Sequence, residues 1–227
     1  MARDELKKIA RDVKQYLLFE KEVEQRELFF KAERTAPREV LTLKEVREEM
    51  GECTRCRLCH FRKTIVFGTG SEGAKLVFIG EAPGHDEDVQ GEPFVGKAGA
   101  LLNKILEAIG LRREEVYITN VVKCRPPGNR SPLPDEIAAC NPFLLKQISA
   151  LRPRLICALG AFAAQTLLHT DAKISQLRGR FYDYQGHRLF VTYHPAFLLR
   201  NPYKKREVWE DFKLLREEYD RIISAGR

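Results

Sequence analysis

The sequence predicts an α/β protein: a three-layer α/β/α sandwich on a largely parallel four-stranded sheet, preceded by an N-terminal helical extension. Two observations predict it. From residue 75 onward, short runs of β-branched and aromatic residues alternate with longer stretches of helical periodicity. That alternation is the pattern of parallel strands joined by crossover helices. Residues 1–50 differ from the rest: they hold no glycine, a single proline (Pro37), and many Glu, Lys and Arg.

The extension is expected over residues 1–50 and the main domain over 51–227. Leu6, Ile9, Val13, Tyr16, Leu17, Leu28 and Phe29 recur at helical spacing, giving helices over about 2–33 and 42–50 with a break at Thr35-Ala36-Pro37. In the main domain, Lys75–Gly80 reads as the first strand. A helix follows from about Ala98 to Ile109, its face formed by Leu101, Leu102, Ile105, Leu106 and Ile109, with Gly110 as the stop. Residues 116–122 form the second strand, and 134–151 a helix opened by Pro134. The third strand is 154–159, followed by a short helix over 162–168. Residues 181–184 and 188–193 flank the turn Gln185-Gly186 as a hairpin, and a charged helix covers about 204–223. Ligands on such sheets bind at the carboxyl ends of the strands. Gly80, Asn120 and His194 each fall at or near such an end and are expected to converge.

Six cysteines are present. Cys53 and Cys56 form a close pair (C-x2-C); Cys124 and Cys140 form a wide one (C-x15-C). No secretory signal is visible, so four thiols gathered by a fold read as a metal or cluster site rather than as disulfides. Spacing alone leaves tetrahedral zinc and an iron–sulfur cluster both open. Cys59 extends the close pair without completing a ferredoxin run, and Cys157 reads as a core residue in a strand. The formal charge of +7, from 39 Lys+Arg against 32 Asp+Glu, favours a polyanionic partner. No apolar run approaches the roughly 20 residues of a membrane span. A metal staple around a pocket, on a basic chain, points to an enzyme acting on nucleic acid.

Residues 80–99, GEAPGHDEDVQGEPFVGKAG, hold five Gly, two Pro and five acidic residues. The loop lacks the P-loop lysine and the dinucleotide-binding spacing, and its acidity disfavours phosphate. Taken whole, it resembles motif one of the type 4 uracil-DNA glycosylases, the iron–sulfur branch of that superfamily. The likeness continues through 93–106 (PFVGKAGALLNKIL), 118–134 (ITNVVKCRPPGNRSPLP) and 193–202 (YHPAFLLRNP), covering about 53–202 with matching order and spacing. Residues 1–50 lie outside it.

The resemblance implies a monofunctional glycosylase that flips uracil out of DNA and excises it, leaving an abasic site in base excision repair. No lysine stands out as a Schiff-base nucleophile. Phe94 would stack on the base, Asn120 would read its edge, and His194 would donate to the developing uracil anion. The backbone of Glu81, Ala82 and Pro83 would line the uracil site. Ala82 stands where the best-known branch has a water-orienting Asp, which leaves Glu81 and Glu87 as candidate carboxylates. Leu198 or Leu199 would be the wedge, with Arg200, Lys123, Arg125, Arg130 and Lys97 on phosphates. Cys53, Cys56, Cys124 and Cys140 would hold a [4Fe–4S] cluster. The expected partner is uracil-containing DNA, the expected state a monomer, and the expected location the cytoplasm of a prokaryote, on its nucleoid. Two other readings are a glycosylase for hypoxanthine or xanthine, and a non-catalytic cluster-bearing binder of uracil-DNA.

Overall fold

The computed structural model describes residues 41–225. The expected helix over 2–33 lies outside them. Residues Leu41–Arg227 form one compact unit. The first helix, α1 (Leu43–Met50), belongs to it. Leu43, Val46 and Met50 sit in the main core. A capping box opens this helix, with Thr42 Oγ1 accepting from Glu45 N and Glu45 Oε2 accepting from Thr42 N.

The sheet has six strands, not four: β1 (Thr69–Gly70), β2 (Leu76–Gly80), β3 (Tyr117–Asn120), β4 (Leu155–Leu159), β5 (Arg180–Tyr184) and β6 (His187–Thr192). Their order is β1-β3-β2-β4-β6-β5. The four central strands are parallel, as expected; β1 and β5 add an antiparallel strand at each edge. β5 is the hairpin partner of β6. β1 is a two-residue strand, too short to carry a period-2 signal.

Helices cover both faces. α4 (Pro134–Leu151) and α5 (Ala161–Leu168) join α1 on the face formed by Val77, Ile79, Ile156, Ala158, Leu189 and Val191. α3 (Lys97–Ala108), α7 (Pro195–Arg200) and α8 (Lys205–Ala225) cover Leu76, Phe78, Leu155, Cys157 and Phe190. The alternation along each strand is that of a sheet buried on both faces. Two short helices, α2 (His85–Gln90) and α6 (Ile174–Leu177), lie in connections. Cys157 is a buried core thiol, as the sequence suggested.

Candidate active site

A cleft of about 420 Å³ opens at the carboxyl ends of the parallel strands. Glu81, Ala82, Pro83, Glu87, Phe94, Asn120 and His194 all line it. Gly80 ends β2 directly beside Asn120 at the end of β3. A Cβ at position 80 would stand 2.4 Å from Asn120 Oδ1 and 2.8 Å from Phe94 Cζ. Glycine there lets a polar amide and an aromatic ring close on the same strand end. Asn120 is only 2% exposed, and among the described residues its Oδ1 is buried without a hydrogen-bond donor. An orphaned acceptor of this kind costs free energy until a ligand supplies a donor.

Phe94 forms the adjoining wall, its ring centroid 5.3 Å from that of His194. Its φ of 54° lies in the left-handed region, which costs a non-glycine residue on the order of 1 kcal/mol or more. Gly99 leaves room for this turn, since a Cβ there would overlap the Phe94 carbonyl oxygen at 1.8 Å. Arg113 grips the turn from behind by donating to the carbonyl oxygens of Pro93 and Phe94 and to Asn103 Oδ1.

His194 follows β6 and caps α7. Its Nδ1 accepts from Ala196 N at 3.1 Å, so the neutral ring carries its proton on Nε2. Burial, aided by the Arg200 charge, lowers its pKa to about 4. The ring is therefore a neutral donor at ordinary pH. The strand that delivers it is anchored by Thr192 Oγ1 donating to Asp211, which also holds Arg178 in a buried ion pair.

Glu87 has both carboxylate oxygens engaged. Oε2 accepts from Gly84 N, and Oε1 accepts from Val95 N and Gly96 N. It stitches the motif-one turn to the Phe94 segment, which leaves it poorly disposed to activate water. Glu81 stays half-buried on the cleft wall.

Behind β3 lies a second cavity, lined by Cys53, Cys56, Cys124 and Cys140 together with Arg55, Arg62 and Lys123. Arg62 donates to the Cys53 carbonyl and to Cys124 Sγ at 3.4 Å. Burial pushes the Cys124 thiol up to about 12 and raises those of Cys56 and Cys140. Buried thiols beside cationic side chains suit ligation, in which a metal replaces the protons. Among the described residues, no three ligating side chains converge tightly enough to hold a single ion. Cys59 is not part of the cavity lining.

The sequence model of the uracil DNA glycosylase superfamily matches residues 67–213. The chain belongs to this superfamily. Within it, the chain is 44% identical to the type-4 uracil-DNA glycosylase of Archaeoglobus fulgidus over 78% of its own length and 92% of the relative's. To the type-4 uracil-DNA glycosylase of Thermotoga maritima it is 48% identical, over 69% and 82%. The likeness to the type-5 uracil-DNA glycosylase of Pyrobaculum aerophilum is lower, 31% over 63% and 78%. These values place the chain in the type-4 family.

Two of the DNA contacts expected of a type-4 glycosylase are excluded by burial. Leu198 is 1% exposed and packs in the core under α7, so it cannot enter a duplex; its neighbour Leu199 is 44% exposed. Lys123 is 1% exposed, and its ammonium donates to Thr119 Oγ1 (2.7 Å) and the Asn120 carbonyl (2.5 Å), out of reach of any phosphate. Arg130 lines the cleft but is held bidentately by buried Glu136. Arg125 is bound to Asn129. Arg200 is exposed at the cleft rim, and Lys97 is exposed at the start of α3. Sequence reasoning missed Arg113, which lies outside every motif, and the cleft wall formed by Asn129 and Ser131.

Proposed function

We propose that this type-4 family member excises uracil from DNA by flipping the nucleotide into the cleft and hydrolysing its N-glycosidic bond. One observation carries the assignment of the base: the buried, donor-less Oδ1 of Asn120. Uracil offers an N3–H to that oxygen and an O4 acceptor to the adjoining Nδ2. Cytosine presents an acceptor at N3, which would face Oδ1 with nothing to share. Phe94 supplies the stacking surface, worth about 1–3 kcal/mol per base.

As the bond breaks, negative charge collects on uracil O2 and positive charge on the sugar. His194 donates its Nε2–H to that oxygen. Water adds to the sugar carbon, its proton balances the departing uracil anion, and an abasic site remains. Ala82 cannot orient the water and Glu87 is committed to backbone amides, so Glu81 is the carboxylate left to steer it. Stabilisation of the leaving anion therefore carries most of the rate. Cys53, Cys56, Cys124 and Cys140 fit a [4Fe–4S] cluster, which would tie the segment before β1 to the 124–140 segment that walls the cleft.

The test is turnover on an end-labelled duplex with one U opposite G, followed by hot alkali. Multiple turnovers with alkali-dependent breaks at U are expected. Asn120→Ala and His194→Ala should each lose about 10²–10³-fold, the scale seen when a well-placed donor is removed. Wild-type turnover in both variants would overturn the pocket assignment. DNA binding without turnover by the wild-type protein would overturn the enzyme.

A further inference from the structure

The stacking wall of the cleft is built on a backbone turn that its own sequence does not favour. Phe94 takes a positive φ without being glycine, and its peptide neighbourhood has three supports. Gly99 makes space on one side, Glu87 accepts from the next two amides, and Arg113 holds the two preceding carbonyls. The first two belong to the motif segment itself. Arg113 does not: it stands 19 residues away, in the turn after α3, and its remaining bond to Asn103 fixes it to that helix. A guanidinium fork can hold adjacent carbonyls and a side-chain amide together in one plane; an ammonium cannot hold the same set.

We infer that Arg113 is a positioning residue for the base-stacking platform, setting the place of the Phe94 ring through the carbonyls of Pro93 and Phe94. The ring closes on the bare backbone of Gly80, where a Cβ would not fit, and its centroid lies 5.3 Å from that of His194. Once the turn behind it relaxes, the ring moves toward or away from the base. Arg113 never touches the base, so its whole effect on catalysis passes through Phe94.

That last property makes the inference testable, and it rests on the uracil-excision reading. Steady-state uracil release is measured for the wild type, R113Q, F94A and the double variant, with melting curves to confirm folding. R113Q should lower kcat/KM by roughly 10- to 100-fold, the scale of a small misplacement in an active site. In the F94A background the same change should cost less than about 3-fold, because coupled sites are non-additive. R113K keeps the charge and the packed stem but lacks the fork, and should fall between R113Q and the wild type. If R113Q does not fold, R113K carries the same cycle. Wild-type kcat/KM in the Arg113 variants, or an equal loss in both backgrounds, overturns the inference. A wild-type protein that releases no uracil overturns the functional reading instead.

Discussion

At the residue scale, His194 shows how a side chain acquires a role through its surroundings. An ordinary histidine titrates near ~6.5 and would be half charged close to neutrality. Here burial and Arg200 hold the pKa at about 4, and the Ala196 amide fixes the tautomer by donating to Nδ1. Protonation at Nδ1 would set two donors face to face and break the cap of α7. The profile of kcat should therefore stay flat as pH falls from 8 toward 5, and drop only near 4. An inflection near 6.5 would show that the donor is an imidazolium. Stability follows the same sign. The unfolded chain takes up this proton near ~6.5 and the folded one only near 4, so the contribution is intact above that window and is lost as pH falls through it. The sequence pointed to His194 by its place after a strand; the tautomer and the suppressed charge depend on contacts with Ala196 and Arg200 that arise only in the fold.

At the element scale, the legible parts were those whose local chemistry agreed with their packing. α4 begins at Pro134 and ends at Leu151 as expected, because proline at the first helical position and a sustained apolar pattern specify it twice. α2 was missed because it carries no apolar stripe: of its six residues only Asp88 is buried, and its carboxylate accepts from Lys63 N and Thr64 N. In this acidic run, Asp88 and Glu87 serve as acceptors for backbone amides. Glu87 belongs to the same short helix and gives the sharpest test of that view. E87A strips an acceptor from three amides and should cost on the order of 3 kcal/mol of unfolding free energy, at about 1 kcal/mol for each bond. E87Q turns an amide donor toward at least one of those N–H groups and should also loosen the turn. Both should act chiefly by raising KM, read from steady-state kinetics on the uracil duplex. A collapse of kcat at unchanged KM would return Glu87 to the role of water activator.

At the scale of the whole molecule, sequence periodicity pointed to the three layers, the four parallel strands and the β5–β6 hairpin, while the opposite sheet edge, β1, stayed hidden. β1 pairs only Thr69 and Gly70 with β3, too few residues for a pattern. Leu198 and Lys123 failed as DNA contacts for a related reason: a motif gives the order of residues but not which face of the next turn they occupy. Charge is the property that survives this loss of detail. The first forty residues carry ten basic and nine acidic side chains, so nearly all of the +7 excess belongs to residues 41–227. That surplus does not lie where a count of motif residues would put it, since Lys123 is buried and Arg130 is held by Glu136. Arg200 remains at the cleft rim, exposed and next to the exposed Leu199. Each phosphate neutralised by such a cation contributes close to one unit to the slope of log affinity against log salt. R200A should reduce that slope by about 1 for a uracil-containing duplex and weaken binding alike for duplexes with and without uracil. R130A, measured in parallel, should change the slope by clearly less, because its guanidinium already has a buried carboxylate. Equal changes in the two variants would mean that the Glu136 pair opens on DNA, and that the charge map of the free protein does not describe the bound one.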